Sequence, residues 1–380
     1  MKKIKIAMMS YTIDNRPNKG TALCARKLIE NLLADDRFEI YLVHYDKVND
    51  PAYSRASEIL MPKIKLPYGG RFVSQLLFFW KYRKNKFDII HWFQPRVYPF
   101  YWLAPAKNII VTAHAAGEYT AAVVLPLSNR IFRIVLKYFN KWVDVVIADS
   151  EYGKKEIIQY YKIKPKKIKI TYLGGEDYKI IEKSIACKLI VDKYKIKAPF
   201  ILDVARLAPH KNIDTLIKAY ILMKELFIER KEKLVIVGSL FPGCENICEL
   251  AKNSKYKEDI FFVDFVKQED LNAFYSAAEL FCFPSLNEGF GLPVVEAMAS
   301  GTPVITSNVT SLPEVAGDAA ILVDPLNIEQ IAHEMNKVLS DEKLRQNLIK
   351  RGLERAKKFI WKETAQKTKE IYFNLMKNGK

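Results

Sequence analysis

Short apolar runs, many of them β-branched, alternate along this chain with longer stretches whose apolar residues recur every three or four positions. The short runs predict strands at Ile4–Met9, Glu39–Val43, Asp88–Trp92, Asn108–Ala113, Val143–Ala148 and Ile168–Tyr172. A second series follows at Phe200–Ala205, Leu234–Gly238, Ile260–Val263, Leu280–Pro284, Pro303–Thr306 and Ala320–Val323. The periodic stretches predict helices at Ala22–Leu33 and Tyr152–Tyr161, then at Ile213–Phe227, Gln268–Ala278, Leu292–Ser300, Ile328–Leu339 and Asp341–Phe359. Alternation of strand and helix calls for parallel sheets covered by helices on both faces. Two such series predict an α/β chain of two doubly wound, Rossmann-like domains. The expected boundary is Gly174–Ala198, where Gly174-Gly175 ends a strand and a charged stretch precedes the next apolar run. Open α/β sheets bind ligands outside the carboxyl ends of their strands. Chemistry is therefore expected in the turns that follow strands.

Composition narrows the class. The 380 residues exceed what one core usually covers. With 49% apolar and 27% charged residues the chain is an ordinary globular one, not a disordered one. No apolar run approaches the roughly 20 residues of a membrane-spanning helix. The start, Met1 to Met9, has the lysines and short apolar stretch of a signal peptide, but Asp14, Asn15 and Arg16 follow without a small-residue cleavage site. It is read as a first buried strand. Five cysteines, an odd number, predict reduced thiols and a cytoplasmic location. Cys244 and Cys248 are spaced like half a metal site, yet no second Cys or His pair accompanies them, so one turn of helix is the reading. A net charge of +17 draws the chain toward nucleic acid, an anionic membrane surface or phosphorylated ligands without choosing among them.

The most informative segment runs from Pro284 through Glu288-Gly-Phe290-Gly291-Leu292-Pro293 to Glu296 and Met298, after one apolar run and into the next helix. Glycines let backbone approach a ligand closely. The amides at a helix start form an anion site suited to a diphosphate, and Pro293 fits a first turn that needs no N–H. Glu288 and Glu296 bracket the turn as acceptors for sugar or ribose hydroxyls. A plain turn with a capping acid is the alternative; two glutamates around it favour a ligand site. A second segment, Val204-Ala-Arg206-Leu-Ala-Pro209-His210-Lys211-Asn212, also links a strand to a helix. A guanidinium and an ammonium there suit a diphosphate. They stabilise the charge that grows on a departing phosphate oxygen.

Together these segments resemble the signature of the GT4 glycosyltransferases, retaining enzymes of GT-B fold. That pattern is Glu, seven residues, Glu, with Gly-Phe-Gly-Leu-Pro inside, after an Arg-x4-Lys turn. The likeness continues through Ser311-Leu-Pro-Glu314 to Pro325. It implies two Rossmann-like domains facing a central cleft: residues 1–178 for the acceptor, joined by a crossing helix at 361–380, and residues 179–360 for the nucleotide sugar. It further implies that Arg206 and Lys211 hold the diphosphate, Glu296 the ribose and Glu288 the donor-sugar hydroxyls. The backbone at Phe290, Gly291 and Leu292 would contact sugar and phosphate, and Glu314 would order the nucleotide pocket. In the first half, His114 resembles the histidine that faces the donor sugar, although Ala115 and Ala116 follow it where the family often has an acid. Gly20 stands where the family has paired glycines, with Lys19 beside it. Ser150 resembles a helix-capping serine.

The chain lacks an Asp-x-Asp pair at a strand end, so no metal and no cofactor is expected beyond the nucleotide-sugar substrate. The resemblance implies retention of anomeric configuration by same-face attack. The acceptor is expected to be a saccharide or lipid-linked saccharide, in cell-surface polysaccharide or glycolipid synthesis. Arg130, Arg133, Lys137 and Lys141 share one helical stripe beside Ile131, Val135, Tyr138 and Trp142. Arg71–Lys86 pairs Phe72, Leu76, Leu77 and Trp80 with Lys81, Arg83, Lys84 and Lys86. Such helices fit an anionic membrane or a core-facing helix with a solvated basic face, and the two readings stay level. A nucleic-acid-binding protein is a rival on charge alone, but no recognisable module carries the basic residues, and no nucleic acid is expected. A nicotinamide-dependent oxidoreductase is a weaker rival, since no G-x-G-x-x-G follows the first strand.

Overall fold

The computed structural model describes residues 3–15, 20–47, 50–66, 70–84, 86–93, 101–114 and 140–378. The chain forms two units, Met1–Leu173 with Trp361–Lys380, and Gly174–Ile360. In the first unit the strands are β1 (Ile4–Met9), β2 (Phe38–His44), β3 (Ser57–Leu60), β4 (Phe87–Trp92), β5 (Ala106–Ala113), β6 (Val145–Ala148) and β7 (Ile168–Ile170). They lie in the order β3-β2-β1-β4-β5-β6-β7, every pair parallel. Successive residues of β1 enter different cores. Ile6 and Met8 pack with Ile40, Leu42 and Ile89, whereas Ala7 and Met9 pack with Val43, Ile90 and Trp92. A strand buried on both faces needs an unbroken apolar run, which is why β1 reads so clearly. Each such large side chain contributes roughly 1.5–3 kcal/mol by leaving water. The sequence gives no sign of β3, because only Ile59 of its four residues is buried at the sheet edge.

The helix Trp361–Asn378 belongs to this first unit although it closes the chain. Its Ala365 and Tyr372 join Ile29, Leu32 and Phe38 in one core. Thr364 Oγ1 donates to the carbonyl of Tyr172 at 2.5 Å.

The second unit carries β8 (Phe200–Val204), β9 (Lys233–Val237), β10 (Ile260–Val263), β11 (Leu280–Phe283), β12 (Val304–Ser307) and β13 (Ile321–Val323). The order is β10-β9-β8-β11-β12-β13, again wholly parallel. This unit begins at Gly174 and not at residue 179. A Cβ on Gly175 would lie 2.5 Å from Val295 Cγ1, and Tyr178 is buried edge-on against Tyr275. The charged stretch at the expected boundary contains a helix, Lys183–Tyr194. Only Ala186 and Ile190 of it are buried. It is held by Asp270, which accepts from Lys193 Nζ at 2.6 Å and Tyr194 Oη at 2.7 Å. A two-residue apolar face is too narrow to show as periodicity. Among the described residues no helix is long and apolar enough to cross a membrane.

Candidate active site

The strand order of the second unit reverses between β8 and β11. Turns leaving such a pair head for opposite faces of the sheet and open a crevice between them. Both sequence-predicted segments lie there. After β8 the chain passes Arg206 and a 3-10 turn, Pro209–Lys211, into the helix Ile213–Leu226. After β11 it passes Glu288 and Gly291 into the helix Leu292–Ala299. The turns are tied together by buried polar groups. Asn212, at φ 58°, donates from Nδ2 to the carbonyls of Pro284 (2.9 Å) and Pro325 (2.7 Å). The His210 carbonyl accepts from Ser285 Oγ at 2.9 Å and Leu286 N at 2.8 Å. Lys211 Nζ thereby meets Glu288 Oε1 at 2.5 Å, with side-chain exposures of 16% and 12%. A partly desolvated pair of this kind is strong locally yet weak evidence of stability, because each charge loses hydration. It keeps an ammonium and a carboxylate ready beside the crevice.

The Glu288 turn is held from below. Ser311 Oγ lies 2.9 Å from both the Glu288 and Phe290 carbonyls, so one hydroxyl proton serves the two. Thr310 Oγ1 accepts from Glu288 N at 3.4 Å. Gly291 has φ 103°, a region that disfavours any side chain, and a Cβ there would stand 2.7 Å from Leu312 Cδ2. Phe290 is 4% exposed and packs edge-on to Phe359, so its side chain belongs to the core. Pro293 occupies the first turn of the helix that Leu292 opens.

Arg206, Glu296 and Glu314 have partners of their own. Arg206 stacks its guanidinium 4.5 Å from the Phe241 ring centre. Phe241 arrives there because Gly238, at φ 147°, packs on the Ala205 carbonyl, where a Cβ would stand 2.0 Å away. Leu207 N then donates to the Ser239 carbonyl and Phe241 N to the Leu207 carbonyl, each at 3.0 Å. Glu296 is buried and accepts from Tyr275 Oη at 2.9 Å, with Tyr178 as a second hydroxyl donor. Burial lifts its pKa to about 7 against the pull of the two hydroxyls, and the charge of Asp177 adds to the rise. Glu314 is half-buried on the short helix Leu312–Ala316, and Arg355 Nη2 donates to its carbonyl at 2.5 Å. Sequence reasoning missed Phe241, Tyr178, Tyr275 and also Asp203. Asp203 sits on β8 at 0% exposure, and neither carboxylate oxygen has a hydrogen-bond partner among the described residues. Desolvation drives its pKa well up, opposed by Lys211 and reinforced by Glu288. No three His, Cys, Asp or Glu side chains cluster as a metal cage among the described residues.

Gly20 and His114 belong to the first unit. Gly20 is exposed and opens the helix Gly20–Leu33, the second helix after β1. His114 follows β5, and its Nδ1 lies 2.6 Å from Asp149 Oδ2. The acid missing from the next two sequence positions thus comes from the end of a neighbouring strand. Ser150 caps the helix Glu151–Tyr161, accepting from Gly153 N at 2.9 Å. Lys19, Ala115, Ala116 and the stripe Arg130, Arg133 and Lys137 lie outside the described residues.

Two family models meet on this geometry. The model described as Glycosyltransferase Family 4 matches residues 19–174, and that described as Glycosyl transferases group 1 matches residues 189–355. The O-antigen chain mannosyltransferase B of Escherichia coli is 30% identical over 279 residues, 72% of this chain and 72% of that protein. The chain belongs to the GT4 glycosyltransferases. The serotype-specific mannosyltransferase WbdA of the same species is 34% identical over 241 residues, 62% of this chain. The matched part spans only 29% of WbdA. Among solved structures, a sucrose-phosphate synthase from Thermosynechococcus elongatus superposes with TM-score 0.80 at 22% identity, covering 99% of this chain and all of that one. Anabaena HepE, solved with UDP-glucose, gives 0.78 at 17% identity over 98% of this chain and 100% of its own. The fold of this GT4 chain is therefore GT-B.

Proposed function

We propose that this glycosyltransferase moves a hexosyl unit, with retention of configuration, from a UDP- or GDP-linked sugar to a saccharide or lipid-linked saccharide. The product would belong to cell-surface polysaccharide or glycolipid synthesis. The observation that carries the reading is the Lys211–Glu288 pair at the β8/β11 switch point, beside an amide-bearing turn at Gly291. On arrival of the donor, Lys211 turns to the diphosphate and Arg206, steadied by Phe241, joins it. Glu288 then grips sugar hydroxyls and Glu296 the ribose. As the bond from the anomeric carbon to phosphate breaks, charge grows on the leaving oxygen, where fixed cations lower the barrier without a metal. The acceptor oxygen bonds to the same face of that carbon, and its proton passes to the leaving phosphate. By the family resemblance, His114 and Gly20 contact the donor and Glu314 orders the nucleotide pocket. Mannosyl is the first unit to test, because the two Escherichia coli relatives are named mannosyltransferases.

A cytoplasmic enzyme resting on the inner face of an anionic membrane fits the first unit. On the helix Gly70–Tyr82, Leu77 and Trp80 are exposed, and Trp102 and Leu103 are exposed on the neighbouring turn. Arg83 stacks 4.4 Å from the Trp80 ring and Lys141 4.1 Å from that of Trp142. Aromatic side chains flanked by cations suit a headgroup layer.

A thermal-shift screen with UDP, GDP and ADP identifies the base, since a ligand of the folded state raises its melting point. With the matching donor, Lys211→Ala and Glu288→Ala should each lower turnover by about 100-fold or more. Near-normal turnover in either variant would sink the assignment.

A further inference from the structure

β5 and β6 are parallel neighbours with Ala113 opposite Ala148. The next residue on each strand, His114 and Asp149, therefore emerges at the same level. That register, set by two apolar strands, brings His114 Nδ1 to 2.6 Å from Asp149 Oδ2. Asp149 is 2% exposed, so its charge is little screened, and His114 Nε2 is buried without a hydrogen bond of good geometry among the described residues, the Phe93 carbonyl being the backbone group near the ring. We propose that Asp149 is a positioning residue for the transfer reaction, holding the Nδ1 proton of His114 so that Nε2 is the nitrogen presented to the donor. The inference rests on the reading of His114 as a group that faces the donor sugar.

The surroundings of the ring support a charged imidazole. Burial opposes charge on His114, but the nearby Asp149 carboxylate and its hydrogen bond outweigh this, with help from the Phe93 carbonyl, and raise the pKa. Among the described residues the other titratable group facing it is His91 on β4, and the two are shifted in opposite directions. His91 is buried between Tyr372 Oη at 2.6 Å and Thr112 Oγ1 at 2.7 Å. Desolvation pushes its pKa down to about 3, and the charge of His114 pushes the same way. One imidazole is pushed toward its neutral form and the other, through its carboxylate, toward its charged form, the usual sign of divided labour between titratable groups. With Nδ1–H committed to Asp149, the ring in its protonated form offers Nε2–H as a hydrogen-bond donor to a sugar or phosphate oxygen. It then steadies the donor and takes no proton from the acceptor.

The test is a nitrogen-15 NMR titration of His114 in the full chain, assigned by loss of its signal in His114→Gln, alongside the pH dependence of kcat/KM. In Asp149→Asn the His114 pKa should fall by about one unit or more. kcat/KM should fall about 100-fold or more, because an amide no longer supports the charged ring or fixes its orientation. Asp149→Glu, which restores a carboxylate, should recover part of both. An unchanged His114 titration in a folded Asp149→Asn protein overturns the proposal, and so does wild-type kcat/KM in that variant. Absence of sugar transfer by the wild-type chain would defeat the functional reading instead, and the titration would still decide whether Asp149 governs His114.

Discussion

Glu296 accepts from Tyr275 and Tyr178 where solvent hardly reaches, and burial sets its pKa near 7. Two hydroxyls fill about half the acceptor sites of a carboxylate, which leaves room for a ribose diol. The consequence for pH has a definite sign. The folded chain holds the Glu296 proton more tightly than the unfolded chain, whose value is near 4.5. This group's contribution to stability is thus present below pH 4.5 and is lost as pH rises to about 7. If Glu296 meets the ribose as proposed, ligand binding runs the other way, since only the carboxylate accepts from both hydroxyls. Affinity for a nucleotide sugar, whose diphosphate diester keeps its charge in this range, should rise about tenfold between pH 6 and pH 8. Calorimetric titration across that interval checks it. Glu296→Gln should bind weakly with no such slope; a wild-type affinity flat with pH would show that Glu296 does not meet the ribose.

At the level of elements, what was legible followed from local chemistry. The turn from Glu288 to Pro293 carries its own strand ending, glycines and helix start, so its place and shape could be read from adjacent residues. The same held for Arg206 and Lys211, because each strand-to-helix turn is a local unit. Partners that come from elsewhere were not legible. Asp149 reaches His114 through strand register, Phe241 reaches Arg206 through the tight approach of Gly238, and Tyr178 reaches Glu296 from the segment read as the boundary. The turn itself can be tested at Gly291. An alanine there keeps φ 103° only under strain and drives its Cβ to 2.7 Å from Leu312 Cδ2. The cost should be about 1–3 kcal/mol. For a unit of this size that is a fall in Tm of roughly 3–10 °C. The donor KM should rise as well, because relaxation of the turn moves the amides at Phe290, Gly291 and Leu292. Thermal unfolding with and without donor checks both effects; an unchanged Tm and KM would mean the turn is not held as described.

For the molecule as a whole, two parallel sheets were foreseeable because strands buried on both faces must be apolar throughout, whereas an edge strand such as β3 and a thin-faced helix such as Lys183–Tyr194 need not be. The same burial logic makes the end of the chain indispensable to its beginning. Tyr372 has 0% exposure, packs edge-on to Phe38 at 6.0 Å, and bonds His91 on β4. Phe373 stacks on Phe38 at 5.3 Å beneath Arg37, and Lys369 Nζ lies 3.1 Å from Asp35. Tyr372→Phe should remove one hydrogen bond and leave His91 unpaired at Nδ1, a loss of about 1–3 kcal/mol. Tyr372→Ala should add a cavity, for a total of about 3–5 kcal/mol. Because these contacts lie wholly within the first unit, hydrogen exchange should quicken across β1, β2 and β4 while β8 to β13 keep their protection. If exchange quickened in the second unit alone, Tyr372 would be fastening the helix somewhere other than on the sheet that contains β1.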